Sequence, residues 1–264
     1  MAMNKHTLST KTFLFGILLI IYLPIMSLVI FSFNDSKSLI QFTGFSLEWY
    51  VKLFDSSTIM DAVFTTILVA IISTIISTII GTLGAISLSK NKKWLREWKL
   101  NFNNIPIVNP EIVTAISFFV LFGAFQIERG LTTMIIAHIA FSVPYVVITV
   151  YPKVRQMDAD LISASNDLGA TPLQTLWHVI LPQIRIGIIA GAAIAFTMSF
   201  DDFVISYFAS SGSAVKNISI YLYTLKRGIE PTINALSTLI ILVIGIKITY
   251  DYFKTQKNLK EEEE

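Results

Sequence analysis

Residues 157–182 read MDADLISASNDLGATPLQTLWHVILP, a polar island between two long apolar runs. The island has the punctuation of ordered structure rather than of a slack linker. Residues 160–168 can form a short helix, and Gly169 supplies the stop or left-handed turn after it. Thr171 then stands as the cap of a second helix, with Pro172 at its first position. Leu173, Leu176, Trp177 and Ile180 recur at helical spacing and give that helix one apolar face. Pro182 closes the segment. Local pattern leaves two readings open for a helix–glycine–helix in this position: a docking element for something outside the bilayer, or a connector lying on the headgroups.

The flanking runs decide the class. Of the 264 residues 53% are hydrophobic and only 14% are charged, with a mean hydropathy of +0.66. A soluble domain carries about 25% charged residues, so the chain is read as an integral membrane protein. Its polar connectors are too short to hold a separate soluble domain. A net charge of +2 argues against a nucleic-acid partner. With no cysteine there is no disulfide, Fe–S cluster or thiolate zinc site, and His6, His138 and His178 are too scattered for a metal site of their own.

In order, the first apolar run covers 13–33, uncharged and long enough for a hydrocarbon core of about 30 Å. Lys5 and Lys11 precede it and no small-x-small cleavage site follows, so it reads as an uncleaved anchor. A polar stretch, 34–61, contains an amphipathic piece at 47–54 whose aromatics suit a membrane interface. The second span, 62–88, carries Ser73, Ser77, Gly81 and Ala85 four apart, a stripe on which another helix can pack closely. Lys90, Lys92, Lys93, Arg96 and Lys99 follow. The third span is expected over 105–125, with Pro106 and Pro110 loosening its first turns and Glu111 in its cytoplasmic half. A hairpin leads to the fourth, 131–151, with His138 and Pro144 inside it. After the island come a fifth span at 184–209, an outer loop at 210–231 and a sixth span at 232–250. The charged tail, 254–264, is expected to be disordered. The fold class is therefore all-α: one polytopic membrane domain over residues 1–264, with six transmembrane helices.

Six spans put both termini on one side. Lys5, Lys11, the 90–99 cluster, Lys153, Arg155, Arg185, Lys247, Lys254, Lys257 and Lys260 fall on that side, against six basic residues on the other. The bias makes both termini and the island cytoplasmic.

Asp201-Asp202 in the fifth span is the costliest feature. One ionised Asp near a helix centre costs about 2.5–3.5 kcal/mol on insertion scales, so both should face protein or water. Gly187, Gly191, Ala195, Ser199, Asp202 and Ser206 form one stripe of small residues, which sets Asp202 against a neighbouring helix or a lumen and Asp201 one step round. With Phe200, Phe203 and Tyr207 close by, the pair suits a flexible polycation, whose ammonium groups the carboxylates neutralise while rings cover its methylenes. A hydrogen-bonded Asp that locks helices together is the other reading. Glu111 is a weaker member of the same pathway, or a local cap. His138 reads as a polar contact between helices.

Resemblance narrows these readings. Ser163-Ala164-Ser165, Gly169 four residues on, and Val179-Ile180-Leu181-Pro182 resemble the EAA loop of ABC-importer permeases, in which Glu-Ala-Ala is followed by three residues, Gly, nine residues and Ile-x-Leu-Pro. Asp167-Leu168-Gly169-Ala170 fits the same pattern. Ser163 stands where the family has Glu, and Asp160 and Asp167 are the nearby carboxylates that could take over its ion pair. Residues 199–206, SFDDFVIS, are similar to the S-x-D-D-x-x-x-S segment of spermidine/putrescine transporter permeases. Ile220-Tyr221 and the run from Gly228 to Leu236 are similar to that subfamily's outer loop and last-span start, most of all in the second of its two permeases.

The resemblance implies a type I ABC-importer permease fold in a bacterial cell membrane. It also implies a homologous second permease, two cytoplasmic ATPase subunits and an extracytoplasmic polyamine-binding protein, with lipid around the spans. The expected substrate pathway is Asp201, Asp202, Tyr207 and Glu111. The expected ATPase-coupling set is Asp160, Ser163, Ala164, Asp167, Gly169, Ala170, Leu181 and Pro182. No GxxxxGK[ST] loop occurs in the chain, so it is not the ATP-hydrolysing partner; ATP would sit on the ATPase, and no cofactor on this chain. Three alternatives remain: the same machine for iron, thiamine or another small solute; an ion-coupled carrier, which would call for a repeat not seen here; and a membrane hydrolase, for which His138 has no evident partner.

Overall fold

The computed structural model describes the backbone of residues 5–210, 215–225 and 231–263. Among these residues there is no strand, only an isolated antiparallel bridge between Asn34 and Phe45. The chain forms two compact units, residues 1–60 with 225–264, and residues 61–224.

In the first unit, α1 (Lys5–Phe31) and α2 (Glu48–Asp55) pack on α13 (Pro231–Glu263). The amphipathic piece expected at 47–54 is α2; its Trp49 and Leu53 turn inward. The Trp49 indole N–H donates to the backbone carbonyl of Asn34. The Asn34 side chain in turn ties residues 34–43 into a closed loop. Its Nδ2 donates to the carbonyls of Ser38 (3.0 Å) and Gln41 (2.9 Å), and its Oδ1 accepts from the Thr43 N–H (2.8 Å). Helix α13 continues to Glu263, across the tail that composition marks as disordered. Lys, Gln, Leu and Glu are good helix formers, and extending an existing helix avoids the cost of nucleating one.

The second unit is built along α6 (Leu131–Gln156). Helix α10 (Arg185–Phe200) makes the most extensive contact with it, while α3 (Ser57–Ser89) approaches from another side. Glycines permit this closeness. A Cβ on Gly81 of α3 would lie 2.6 Å from the Val146 side chain, and one on Gly187 of α10 would lie 2.8 Å from Lys153 Cγ. Ala85, Ile86, Val146, Val150, Val154, Ile180, Ile184 and Ala195 close the core between these helices. A second cluster, Ala115, Phe122, Ala137, Phe141, Ile205 and Ala209, joins α5 (Glu111–Ala124) and α6 to α11 (Val204–Ala209).

Among the described residues four helices are long and apolar enough to cross a bilayer: Thr10–Phe31, Ser57–Ser89, Leu131–Gln156 and Pro231–Tyr250. The number rises to six when each of two bent pairs is counted as one span. One pair is α4 (Lys93–Val108) with α5, bent by 99°. The expected continuous span over 105–125 is thus corrected to two helices meeting at Asn109-Pro110. Pro110 supplies no N–H and holds Asn109 extended (φ −70°, ψ 141°). Glu111 is consequently the first residue of α5, not part of a turn inside one long helix. The other pair, Pro172–Gln183 with α10, bends by 74°. The expected span at 184–209 is also interrupted, since α10 ends at Phe200 and α11 begins at Val204.

Candidate functional site

That second interruption makes the site. Between α10 and α11 the chain leaves the helix for Asp201, Asp202 and Phe203, and the two carboxylates part company. Asp201 is exposed. Asp202 is 5% exposed and caps α11, its Oδ2 accepting from the Ser206 N–H (2.7 Å) and its Oδ1 from the Ile205 N–H (3.2 Å). His138 of α6 places Nε2 3.3 Å from Asp202 Oδ2 and 2.9 Å from Ser206 Oγ, with Nδ1 2.7 Å from Ser199 Oγ. Asn217 completes the network from the other side. Its Nδ2 donates to the Asp202 carbonyl (3.1 Å) and to Ser206 Oγ (2.8 Å), while its Oδ1 accepts from Ile220 N–H and caps α12 (Ile218–Tyr223). The next N–H, of Ile218, donates to Thr66 Oγ1 of α3 (2.9 Å). His138, Ser199, Ser206 and Asn217 are all buried, and each of their side chains finds a hydrogen-bond partner within this network.

His138 therefore has partners that spacing did not reveal. They lie 61 to 68 residues away along the chain, and no local pattern could have named them. The group superficially has the composition of a hydrolytic triad. Its hydroxyls are instead bonded to the two ring nitrogens of His138, that of Ser206 also to Asn217, and sealed from solvent, an arrangement that fixes helices.

Glu111, Asp201 and Asp202 meet at one cavity of about 350 Å³, also lined by Phe141, Met198, Phe203 and Val204. Glu111 and Asp201, from two distant segments, thus present carboxylates to one space with aromatic walls, while the Asp202 carboxylate is turned to the α11 N–H groups and His138. Tyr207 is not part of that lining. It stacks one turn on, with ring centroids 5.5 Å from Phe203 and 5.6 Å from Tyr223, while Phe203 and Tyr223 are 4.8 Å apart. Tyr223, on α12, is a member of this aromatic group that reading the sequence missed; the only signal was one more aromatic in an outer segment. Residues 211–214 and 226–230 of the expected outer loop, Gly228, Ile229 and Glu230 among them, lie outside the described residues.

The island at 157–182 is ordered. Asp158 caps α7 (Ala159–Asp167), accepting from the Asp160 N–H at 2.9 Å. Gly169 follows with φ +78°, the left-handed conformation glycine adopts without strain. Thr171 and Gln174 form a reciprocal capping box at the start of α8 (Pro172–Thr175), with Gln174 N–H to Thr171 Oγ1 at 3.3 Å and Thr171 N–H to Gln174 Oε1 at 2.8 Å. Ser165 Oγ and Thr175 Oγ1, 2.9 Å apart, join α7 to α8. A π-helical turn, Leu176–Ile180, then leads into α9 (Leu181–Gln183). The extra residue in that turn splits the expected apolar face. Ile180 and Leu176 turn to the core, while Leu173 (63% exposed) and Trp177 (61%) turn outward. Asp160, Ser163, Ala164, Asp167, Gly169 and Pro182 lie at the surface, with Ala170 and Leu181 half-buried.

Comparison with known proteins places this arrangement. Residues 77–256 match the model of the family described as "Binding-protein-dependent transport system inner membrane component". The putrescine transport system permease protein PotI of Escherichia coli (strain K12) is 34% identical over 233 residues, covering 86% of this chain and 83% of that protein. The spermidine/putrescine transport system permease protein PotC of Haemophilus influenzae is 31% identical over 249 residues, covering 94% and 96%. The PotC homolog of Mycoplasma genitalium is 30% identical over 275 residues, covering 98% and 95%. In fold, the chain matches a bacterial ABC transporter involved in the import of the acidic polysaccharide alginate, with a TM-score of 0.68 over 97% of this chain and 98% of that one at 16% identity. The chain belongs to the family of inner-membrane components of binding-protein-dependent transport systems, and it has their type I permease fold.

Proposed function

We propose that this permease is one of two membrane subunits of an ATP-driven importer of polyamines. The observation that carries the solute class is the cavity on which Glu111 and Asp201 stand exposed between Phe141 and Phe203, with Asp202 in its wall. Spermidine and putrescine are flexible chains of methylenes bearing ammonium groups. Carboxylates neutralise the charges, and rings cover the methylenes and add cation–π attraction. The names of the relatives, putrescine and spermidine/putrescine permeases, support the same class. An acidic wall is unsuited to an anionic solute.

In this reading the partner is a homologous second permease that completes the pathway. An extracytoplasmic polyamine-binding protein delivers the solute, and two ATPase subunits dock on the cytoplasmic side. Both termini are cytoplasmic in a bacterial cell membrane. The island at 157–182 is the dock, presenting Leu173 and Trp177 with the exposed coupling residues Asp160, Ser163, Asp167 and Gly169. Closure of the ATPases moves α7 and α8, and α9 hands that motion to α10, whose far end carries the carboxylates. ATP and its chemistry belong to the ATPase. This chain contributes a route and a lever, and no cofactor.

The test is uptake of radiolabelled spermidine and putrescine by proteoliposomes holding the complete transporter, with the binding protein outside and ATP on the ATPase side. Saturable uptake that requires ATP, and is competed by unlabelled polyamine but not by thiamine or ferric iron, is expected. Uptake competed by another solute in preference to polyamines would reassign the cargo.

A further inference from the structure

The two adjacent aspartates are chemically identical and structurally opposite. Asp202 has an N–H donor on each carboxylate oxygen, with His138 beside Oδ2. Its own carbonyl is held by Asn217, and its side chain is almost sealed from solvent. Among the described residues Asp201 is held only through its backbone, where its carbonyl accepts from Ser219 Oγ at 3.4 Å, and it stands exposed on the cavity. Asp202 anchors a turn that α10 and α11 both need, because helix ends in an apolar medium leave N–H groups that water does not reach. The anchor joins four segments. Ser199 ends α10, Ser206 starts α11, His138 belongs to α6, and Asn217 opens α12.

We infer that Asp202 is a positioning residue, which with His138 and Asn217 holds the break in this span open so that Asp201 faces the cavity. The inference rests on the cavity's being the solute route only for its kinetic consequence; the geometric part stands apart from the identity of the solute. An amide at position 202, with its oxygen at the Oδ2 position, keeps the shorter bond, from Ser206 N–H, and the contact with His138, and gives up only the longer bond from Ile205 N–H. Asparagine caps helices as well as aspartate does. Neutralising Asp202 is therefore tolerated where neutralising Asp201 is not.

Two measurements on the complete transporter test this. The chain contains no cysteine, so single substitutions Asp201→Cys, Glu111→Cys and Asp202→Cys report accessibility to a small, water-soluble cationic methanethiosulfonate on this subunit alone. Positions 201 and 111 are expected to react about tenfold or more faster than 202, in line with a buried and an exposed side chain. Equal reaction at 201 and 202 overturns the inference. Uptake kinetics supply the second arm, and do not depend on the cysteine variants assembling. Asp201→Asn and Glu111→Gln are expected to raise KM for spermidine about tenfold, the loss of about 1.4 kcal/mol of binding. Asp202→Asn is expected to leave KM within about twofold. Asp202→Ala lowers Vmax and the amount of assembled subunit, and the conservative Asn rescues both. A KM for Asp202→Asn raised as far as that for Asp201→Asn overturns the positioning role. Ordered labelling with no change of KM in any variant leaves the anchor standing and removes the polyamine route instead.

Discussion

Val146 sits where two helices come closest to α6. A methyl group on Gly81 would lie 2.6 Å from its Cβ, and one on Gly191 would lie 3.2 Å from its Cγ1, whereas one on Gly84 would meet Val147 at an ordinary 3.5 Å. Gly81→Ala is accordingly expected to destabilise the second unit by about 1–3 kcal/mol, the usual cost of overpacking, and Gly84→Ala by much less. Thermal unfolding of the purified transporter separates them; equal midpoints for the two variants would contradict the packing described. At this scale the sequence was informative wherever a rule is periodic. Ser73, Ser77, Gly81 and Ala85, like Gly187, Gly191, Ala195, Ser199 and Ser206, are buried on faces that their spacing marks out. The same spacing put Asp202 on the packed side and Asp201 one step round. It did not reveal that Asp202 caps a helix, since a period of 3.6 assumes the helix continues.

Breaks between helices carry the proposed solute site, and they are the least legible elements. Pro110 marked the α4–α5 break as a loosened turn, and the structure makes it a bend of 99°. No proline or glycine marks the break at 201–203, where the carboxylate of Asp202 caps the helix that starts anew. The docking segment was read more fully, because its signals are chemical and local: a glycine at the left-handed position and Thr-Pro at a helix start. Its π-helical turn has no such signature, which is why Leu173 and Trp177 were assigned to the same face as Ile180. Thr171→Ala removes one half of the capping box, worth about 1 kcal/mol. Amide exchange in residues 173–176 is then expected to quicken about fivefold, with exchange in α6 unchanged. Unaltered exchange at 173–176 would mean that the cap does not hold this segment.

For the whole molecule, composition and run length sufficed to give an all-α protein of the membrane, and the basic residues supplied an orientation. Contacts between distant segments did not follow from them: that Glu111 shares a cavity with Asp201 is a fact of three dimensions. The orientation makes a plain prediction on this cysteine-free chain. Lys37→Cys is expected to react with an impermeant maleimide on intact cells, and Lys99→Cys and Lys257→Cys only after the membrane is opened. Reaction of all three from outside would refute six spans with internal termini.

The proposed function joins an acidic route within the membrane to a lever on its cytoplasmic face. Uptake of radiolabelled spermidine by the complete transporter tests both at once, with wild type beside Asp201→Asn and Gly169→Asp and with subunit amounts equalised. Both variants are expected to lose uptake, for different reasons. Asp201→Asn keeps the ATPases bound and loses affinity for the polyamine, while Gly169→Asp strains the turn at φ +78° and uncouples or sheds the ATPases. Full uptake by Asp201→Asn, at unchanged KM, would contradict the proposed function.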